Sequence, residues 1–377
     1  MTSRERILAA YAHRPVDRIP CSPWIYAFLL ELYGQCGIDA HLRAQEEFGF
    51  DVHANPGIFD HVTELGVSPS YHLPDVEYRR EESTEGAYKV VRRIFRTRSG
   101  TVTDVTRFPP PDRVYGVSPN PIRTEHLIKS HADLDCARHL ITDKSRTDFA
   151  PLRAQEKRVG ERGLVSLDIR SPISHRAAEA YGMENLMVAY YEDRRFFDEL
   201  LALYHGEMMD EVRIALAAGV KHFFANWFYN SMSTGWSPAI WRNVFAPQLS
   251  EMTSAVHAAG GDVNLYDDGK CMAIVDILAG CGIDVLTTLT PPPVGDVDLA
   301  EVKRRIGDKV CLMGYVDLHY VIKMGTPDLI ARTVRAAIET AGPTGFVLGT
   351  SDSIRDGTPI ENVRAYFDAA RKYGKPK

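Results

Sequence analysis

Apolar positions recur at helical spacing almost from the first residue. Ile7, Leu8 and Tyr11 share one face of 3–12, as in an amphipathic helix. Arg14-Pro-Val-Asp-Arg-Ile-Pro20 breaks that pattern and leads into an apolar stretch. Residues 39–49 are helical again, and 48–57 ends that helix and starts a strand. The segment 88–105 alternates instead, with Ser99-Gly100 at its turn, which predicts a β-hairpin. A proline cluster at 109–111 follows. The region 75–125 therefore reads as an excursion from the main fold, either covering a site or lying on the surface as a plain hairpin.

From residue 126 onward, short apolar runs and helical patterns take turns. Strand-length runs fall at 163–168, 221–226, 262–266, 283–286, 309–313 and 345–349. Helical patterns fall at 184–218 (two helices), 238–259, 271–280, 327–341 and 359–373. This alternation predicts an α/β chain, a single (β/α)₈ TIM barrel over 1–377 with an inserted β-hairpin. The rival architecture, a doubly wound open sheet, calls for a glycine-rich phosphate turn after an early strand. Neither GxGxxG nor GxxxxGK[ST] occurs.

Composition narrows the partners. The 377 residues are 45% hydrophobic and 25% charged, with a formal net charge of −6 and no basic run. Such a chain lacks the electrostatic footprint of a nucleic-acid binder. No apolar stretch approaches the roughly 20 residues that span a bilayer. The polar start Met1-Thr-Ser-Arg-Glu-Arg leads straight into a helical pattern, unlike a signal peptide. The expectation is a cytoplasmic protein that binds a small molecule, with a homodimer open to it. Six cysteines, none in a CxxC pair, read as reduced thiols and disfavour a cysteine-rich zinc site.

In a barrel, chemistry is built at the C-terminal strand ends and in the loops that follow. Several of these carry dense polar groups: Asp168 and Arg170; Asn226, Trp227 and Tyr229; Tyr266, Asp267 and Asp268; Tyr315, Asp317 and His319; Ser351 and Asp352. Each also has a structural reading. Asp168 and Arg170 can form a loop ion pair. Asp267 or Asp268 can cap the helix starting near Cys271, Asp317 a short helix, and Asp352 a turn. His53 and Asp60 complete the candidate set; a lone histidine such as His53 is commonly a hydrogen-bonded structural residue.

The last hundred residues carry a family resemblance. The segment 297–317 ends in Gly314-Tyr-Val-Asp317. It resembles the stretch of the uroporphyrinogen decarboxylase superfamily where a Lys/Arg-rich helix leads to a strand ending Gly-Asn-x-Asp. Gly325-Thr-Pro, Gly345-Phe-Val-Leu-Gly-Thr-Ser and Thr358-Pro-Ile-Glu-Asn-Val fit the same family, as do the N-terminal Arg14-Pro-Val-Asp-Arg-Ile-Pro20 and Glu125-His-Leu-Ile-Lys-Ser. The resemblance covers essentially the whole chain and implies a barrel with a mouth site.

It does not fix the reaction. True uroporphyrinogen decarboxylases carry Arg-Gln-Ala-Gly-Arg-Tyr near the N-terminus, whose arginines bind propionates. Here 23–33 contains no arginine, so a substrate with eight carboxylates lacks its cationic clamps. Asp60 is the match to that family's pyrrole-binding aspartate. The thiol-methylating members hold zinc with His-x-Cys-Gly and a later cysteine. The matching positions are Tyr266-Asp-Asp268-Gly and Ser351 or its neighbour, which lack the soft ligands of such a site.

The run 290–299 and the loop 349–353 resemble methyl-ether or methylamine demethylases of the corrinoid branch. That resemblance implies methyl transfer from a small methoxy or methylamine compound to a corrinoid (cobalamin). A partner protein would carry it, since no Asp-x-His-x-x-Gly motif occurs. Asp268 or Tyr266 would supply a proton, and Trp24, Trp227 and Tyr229 would stack on an aromatic donor. If a zinc ion takes part, Asp168, Asp268 and His53 are its expected ligands. Two alternatives stand beside this. One is cofactor-free decarboxylation of a smaller acid, with Asp60 stabilising a cation and Arg170 holding a carboxylate. The other is a non-catalytic barrel that binds a ligand.

Overall fold

The computed structural model describes residues 1–63, 73, 75–111, 116–117, 119–227 and 232–375. Among them, twelve strands appear in chain order: β1 Val52–Ala54, β2 Glu77–Glu85, β3 Tyr88–Thr97, β4 Gly100–Phe108, β5 Ile122–Glu125 and β6 Gly163–Val165, then β7 Leu167–Arg170, β8 His222–Asn226, β9 Asp262–Tyr266, β10 Val285–Leu289, β11 Cys311–Val316 and β12 Phe346–Thr350. The chain divides into two compact units. Unit 1 comprises 1–57, 149–168 and 219–377; unit 2 comprises 58–148 and 169–218.

Unit 1 holds the barrel. The strand order β7-β8-β9-β10-β11-β12 is continuous, and its registered pairs from β8 to β12 are parallel. Residues 20–22 close the ring. Leu348 exchanges hydrogen bonds with Pro20 and Ser22, at 2.8 Å each, and the Asp51 N–H donates to Cys21 O at 2.7 Å. β1 pairs in parallel with β6, and the chain then continues into β7. Eight parallel segments thus close on themselves, which excludes the open doubly wound sheet. Gly163 is required at its position, because a Cβ there would meet Val52 O at 2.1 Å.

The N-terminal helix Ser3–Tyr11 starts with a capping box between Thr2 and Glu5, a local stop-start signal. Its buried face sets Ile7, Ala10 and Tyr11 against Leu164, Val285, Cys311, Met313 and Val347. These are early positions on the barrel strands, so the helix seals the N-terminal end of the barrel. Burying this apolar set at about 25 cal/mol per Å² is what holds the plug in place.

Unit 2 contains an antiparallel sheet, β2-β3-β4-β5. The hairpin expected from alternation is there, with Thr97 opposite Gly100 across the Ser-Gly turn. β2 and β5 extend it to four strands, which the charged run 77–85 conceals. The long helix Arg194–Ala217 belongs to this unit. All six cysteines are unpaired, and all but Cys36 are buried. No helix among the described residues is long and apolar enough to cross a membrane.

Candidate active site at the barrel mouth

Strand pleating sorts the polar candidates. On β9, Asn264 and Tyr266 face one way: Asn264 accepts no donor at Oδ1 but donates to Tyr11 Oη at 3.2 Å. The Tyr266 ring meets Trp24 edge-on, at 6.1 Å between centroids. Two residues later, Asp268 lines a cavity of about 430 Å³. Its walls also include Ser233, Thr234, Thr290, Asp317, His319, Ser351 and Asp352. Tyr266 stands behind this wall and braces it, donating from its hydroxyl to Asp352 at 3.1 Å. No lysine or arginine lines the cavity among the described residues.

The backbone around the cavity is constrained. Thr288 and Tyr315, neither of them glycine, hold φ of 61° and 88°, a region that L-residues adopt at a cost. The β10–β11 register shifts between Leu286 and Leu289, the irregularity that lets Thr288 turn. Thr288 Oγ1 donates to Asp267 O at 3.2 Å, and Thr290 Oγ1 donates to Thr288 O at 2.8 Å. These bonds fix the loop that carries Thr290 into the cavity wall.

The structure decides among several candidates. Asp296 accepts from the N–H groups of Cys271 and Met272, at 2.9 and 3.2 Å, so neither Asp267 nor Asp268 caps that segment. Asp317 does cap, accepting from the Tyr320 N–H at 2.6 Å, yet it also lines the cavity. Asp352 accepts from the Ser353 N–H as well as from Tyr266. Trp24 packs at 5.2 Å from Phe224 and 6.2 Å from His53. His53 is buried and bonded to Ser166 Oγ at 2.9 Å. Burial, helped by the His222 charge, pushes its pKa down to about 3.

Asp168 is buried, and its N–H donates to Pro56 O at 3.0 Å. Burial, and then the Asp168 charge, raises the Tyr26 phenol. Asn226 ends β8 opposite Tyr266. Trp227 is fully buried in the core, its N–H donating to Tyr266 O at 3.0 Å. Tyr315 is half-buried and interacts with the Leu299 backbone, outside the cavity wall. Tyr229 lies outside the described residues. In unit 2, Arg170 ends β7, and Asp60 is exposed, its carbonyl accepting from Thr142 and Lys144.

Sequence reading missed three features. Thr290, Ser233 and Thr234 complete the cavity wall but sit in loops with no polar signature. Asp267 is fully buried, and neither carboxylate oxygen makes a hydrogen bond of good geometry among the described residues. Burial, then the neighbouring Asp268 charge, holds its pKa well above the ordinary range, although the Asp268 N–H works the other way.

The third feature is a buried ionic cluster in unit 2. Lys144 Nζ lies 2.9 Å from Glu207 and 3.1 Å from Glu211. Arg176 bonds the same two carboxylates at 2.8 and 2.6 Å. Burial works to raise the Glu207 pKa, but Arg176 and Lys144 outweigh it and hold the group well below its usual value.

His61, Glu207 and Glu211 bring one ligand atom each within 4.8 Å of one another, a donor set that could hold a zinc ion. The donor set fits an ion poorly, because two resident cations already neutralise both carboxylates. Asp168, Asp268 and His53 form no such group among the described residues.

Comparisons with known proteins agree with this architecture. Over 145 residues, 38% of this chain, it is 29% identical to "Uroporphyrinogen decarboxylase, chloroplastic" of Zea mays. Over the same share it is 28% identical to "Uroporphyrinogen decarboxylase" of Hordeum vulgare. These matches span only 35% and 42% of the two relatives. A solved "methyltransferase from Methanosarcina mazei" superposes over 99% of both chains, with a TM-score of 0.66 and 17% identity, a likeness of fold. The model of the family "Uroporphyrinogen decarboxylase (URO-D)" matches residues 169–373, more than half of the chain. The chain belongs to the uroporphyrinogen decarboxylase family.

Proposed function

We propose that this protein is a methyltransferase that takes a methyl group from a small methoxy or methylamine compound and delivers it to a corrinoid carried by a partner protein. One observation carries the reading. Tyr266, Asp268 and the 351–352 pair occupy the positions of the His-x-Cys-Gly and later cysteine in the thiol-methylating members. Asp268, Ser351 and Asp352 line one cavity, Tyr266 bonds to its wall through Asp352, and none of them offers a thiolate. The location suits methyl transfer, while the ligands for a thiol acceptor are replaced by a phenol and carboxylates. The name of the Methanosarcina mazei structure supports the same reading.

A bound corrinoid supplies a reduced cobalt that accepts the methyl group. The chain's residues have other tasks. Trp24 packs edge-on against Tyr266 and holds that ring in place. The Tyr266 hydroxyl, bonded to Asp352, is a proton donor for an alkoxide leaving group. Decarboxylation of a polycarboxylate is the weaker reading, because such a substrate needs cationic clamps and the cavity wall has none among the described residues.

The test is anaerobic methyl transfer to free cob(I)alamin from a panel of methoxyaromatics and methylamines. Methylcobalamin formation from at least one donor is expected. No transfer from any donor, together with CO₂ release from a panel of carboxylates, would overturn the proposal.

A further inference from the structure

Resting on the methyl-transfer reading, we propose that His319 is the acid that hands a proton to the leaving oxygen, and that the methyl donor is therefore an ether. The Tyr266 hydroxyl stands behind the cavity wall and is directed at Asp352. Delivery at the wall itself needs a group that borders the cavity, and His319 does so. The other wall side chains among the described residues are carboxylates, hydroxyls and the apolar Val294 and Leu318. Free carboxylic acids are ionised at neutral pH, and aliphatic hydroxyls are far weaker acids. Imidazole is the side chain that takes up and releases a proton near neutrality.

The fold places this residue by its backbone and leaves the ring uncommitted. Asp317, Leu318 and His319 follow β11 in succession, and all three border the cavity. The chain then winds through a widened, π-helical turn, Leu318–Lys323, a geometry that recurs at functional sites. Bonds on both sides hold it. The Leu318 N–H donates to Ser351 Oγ at 3.2 Å, and the Tyr320 N–H to Asp317 at 2.6 Å. The Met324 N–H donates to His319 O at 2.9 Å. Asn362 donates to Ile322 O and Gly325 O, at 2.9 Å each. Leu318 and Ile322 are buried, whereas His319 is exposed.

Histidines elsewhere in the barrel are tied to protein groups. His53 bonds to Ser166, His222 to Asp262 and His257 to Asp284. The His319 imidazole makes no hydrogen bond or ion pair among the described residues. Both of its ring nitrogens are open to whatever occupies the cavity of about 430 Å³.

The step balances with this proton. In transfer from an ether, the C–O bond breaks and its electron pair stays on oxygen. The methyl group bonds to the reduced acceptor, whose own electron pair makes the new bond. The imidazolium N–H gives its proton to the oxygen. The products are a methylated acceptor, an alcohol or phenol, and a neutral imidazole that solvent reprotonates. Without that proton the oxygen must leave as an alkoxide, a far poorer leaving group, and supplying it is the work of a general acid.

Leaving-group dependence tests this. The reaction is anaerobic transfer to free cob(I)alamin from methoxybenzene and from 4-nitroanisole, whose nitrophenolate leaves unaided. His319→Gln should slow transfer from methoxybenzene about 10²-fold, the usual share of a general acid, and leave transfer from 4-nitroanisole nearly unchanged. His319 is exposed, so the exchange spares the core, and His319→Asn gives a second reading. Equal slowing with both ethers would mean a structural role and overturns the proposal, as does no slowing at all. A second readout needs no acceptor. In nitrogen-15 NMR of histidine-labelled protein, phenol, the product of methoxybenzene, should shift the ring signals that His319→Gln removes, and unmoved signals overturn the proposal. The two readings separate. Transfer from methylamines but from no ether overturns the role of His319 and leaves the methyltransferase. No transfer from any donor overturns the methyltransferase, and the acid role with it.

Discussion

Two groups of carboxylates stand out among the described residues, and they are provided for in different ways. Glu207 and Glu211 in unit 2 are buried and matched by Lys144 and Arg176, two negative charges against two positive. Asp317 and Asp352 at the barrel mouth accept from backbone N–H groups and, for Asp352, from the Tyr266 hydroxyl, and no lysine or arginine lines that wall among the described residues. A carboxylate kept for architecture has its counter-charge built in.

Substitutions can break or sharpen this contrast. The largest effect is expected in the ionic cluster. Lys144→Met leaves Glu207 and Glu211 with a single cation, and breaking a buried pair costs about 3–5 kcal/mol. Urea unfolding should show that loss, and a variant as stable as the parent would mean that the cluster is not structural. Next comes acid sensitivity inside the barrel. His53 is held neutral down to about 3, so below about 6.5 the unfolded chain takes up a proton that the folded chain refuses. Its share of stability is present at neutral pH. That share falls by about 1.4 kcal/mol per unit as pH drops toward 3. His53→Gln should flatten the pH dependence of unfolding across that window, and an unchanged slope would count against it.

Asp296→Ala should cost about 1 kcal/mol, the usual loss of a cap, seen as a lower melting temperature. No change would show that the 271–272 N–H groups find another acceptor. Asp352→Asn at the half-buried mouth should move stability by less than about 0.5 kcal/mol. A large loss of stability there would erase the distinction between the two carboxylate groups.

Much of this was legible along the chain, for definite reasons. Barrel strands bury both faces and read as short apolar runs, so β8, β9 and β12 were placed within a residue or so. The 20–22 segment was not, because the two residues between Pro20 and Pro23 carry no period. Polar residues after strand ends pointed to the mouth, and Asp268, Asp317, Ser351 and Asp352 do share its wall. Which neighbours turn away was hidden. Tyr315 leaves the wall through a positive φ that the sequence does not mark, and Trp227 is buried directly after Asn226. The ionic cluster was invisible, since its members stand at 61, 144, 176, 207 and 211. Only Glu207 and Glu211, one helical turn apart, offered a hint.

The helix Ser3–Tyr11, seated against Leu164, Met313 and Val347, makes the barrel a cup stoppered at its N-terminal end. A ligand in the mouth cavity then enters from the end where the strands' C-termini lie. If the proposed methyl transfer holds, the small donor should enter first and the acceptor follow, and the spent donor should leave only after the acceptor has gone. Initial-rate patterns should then show compulsory order, with an excess of acceptor acting as an inhibitor by closing the empty cup.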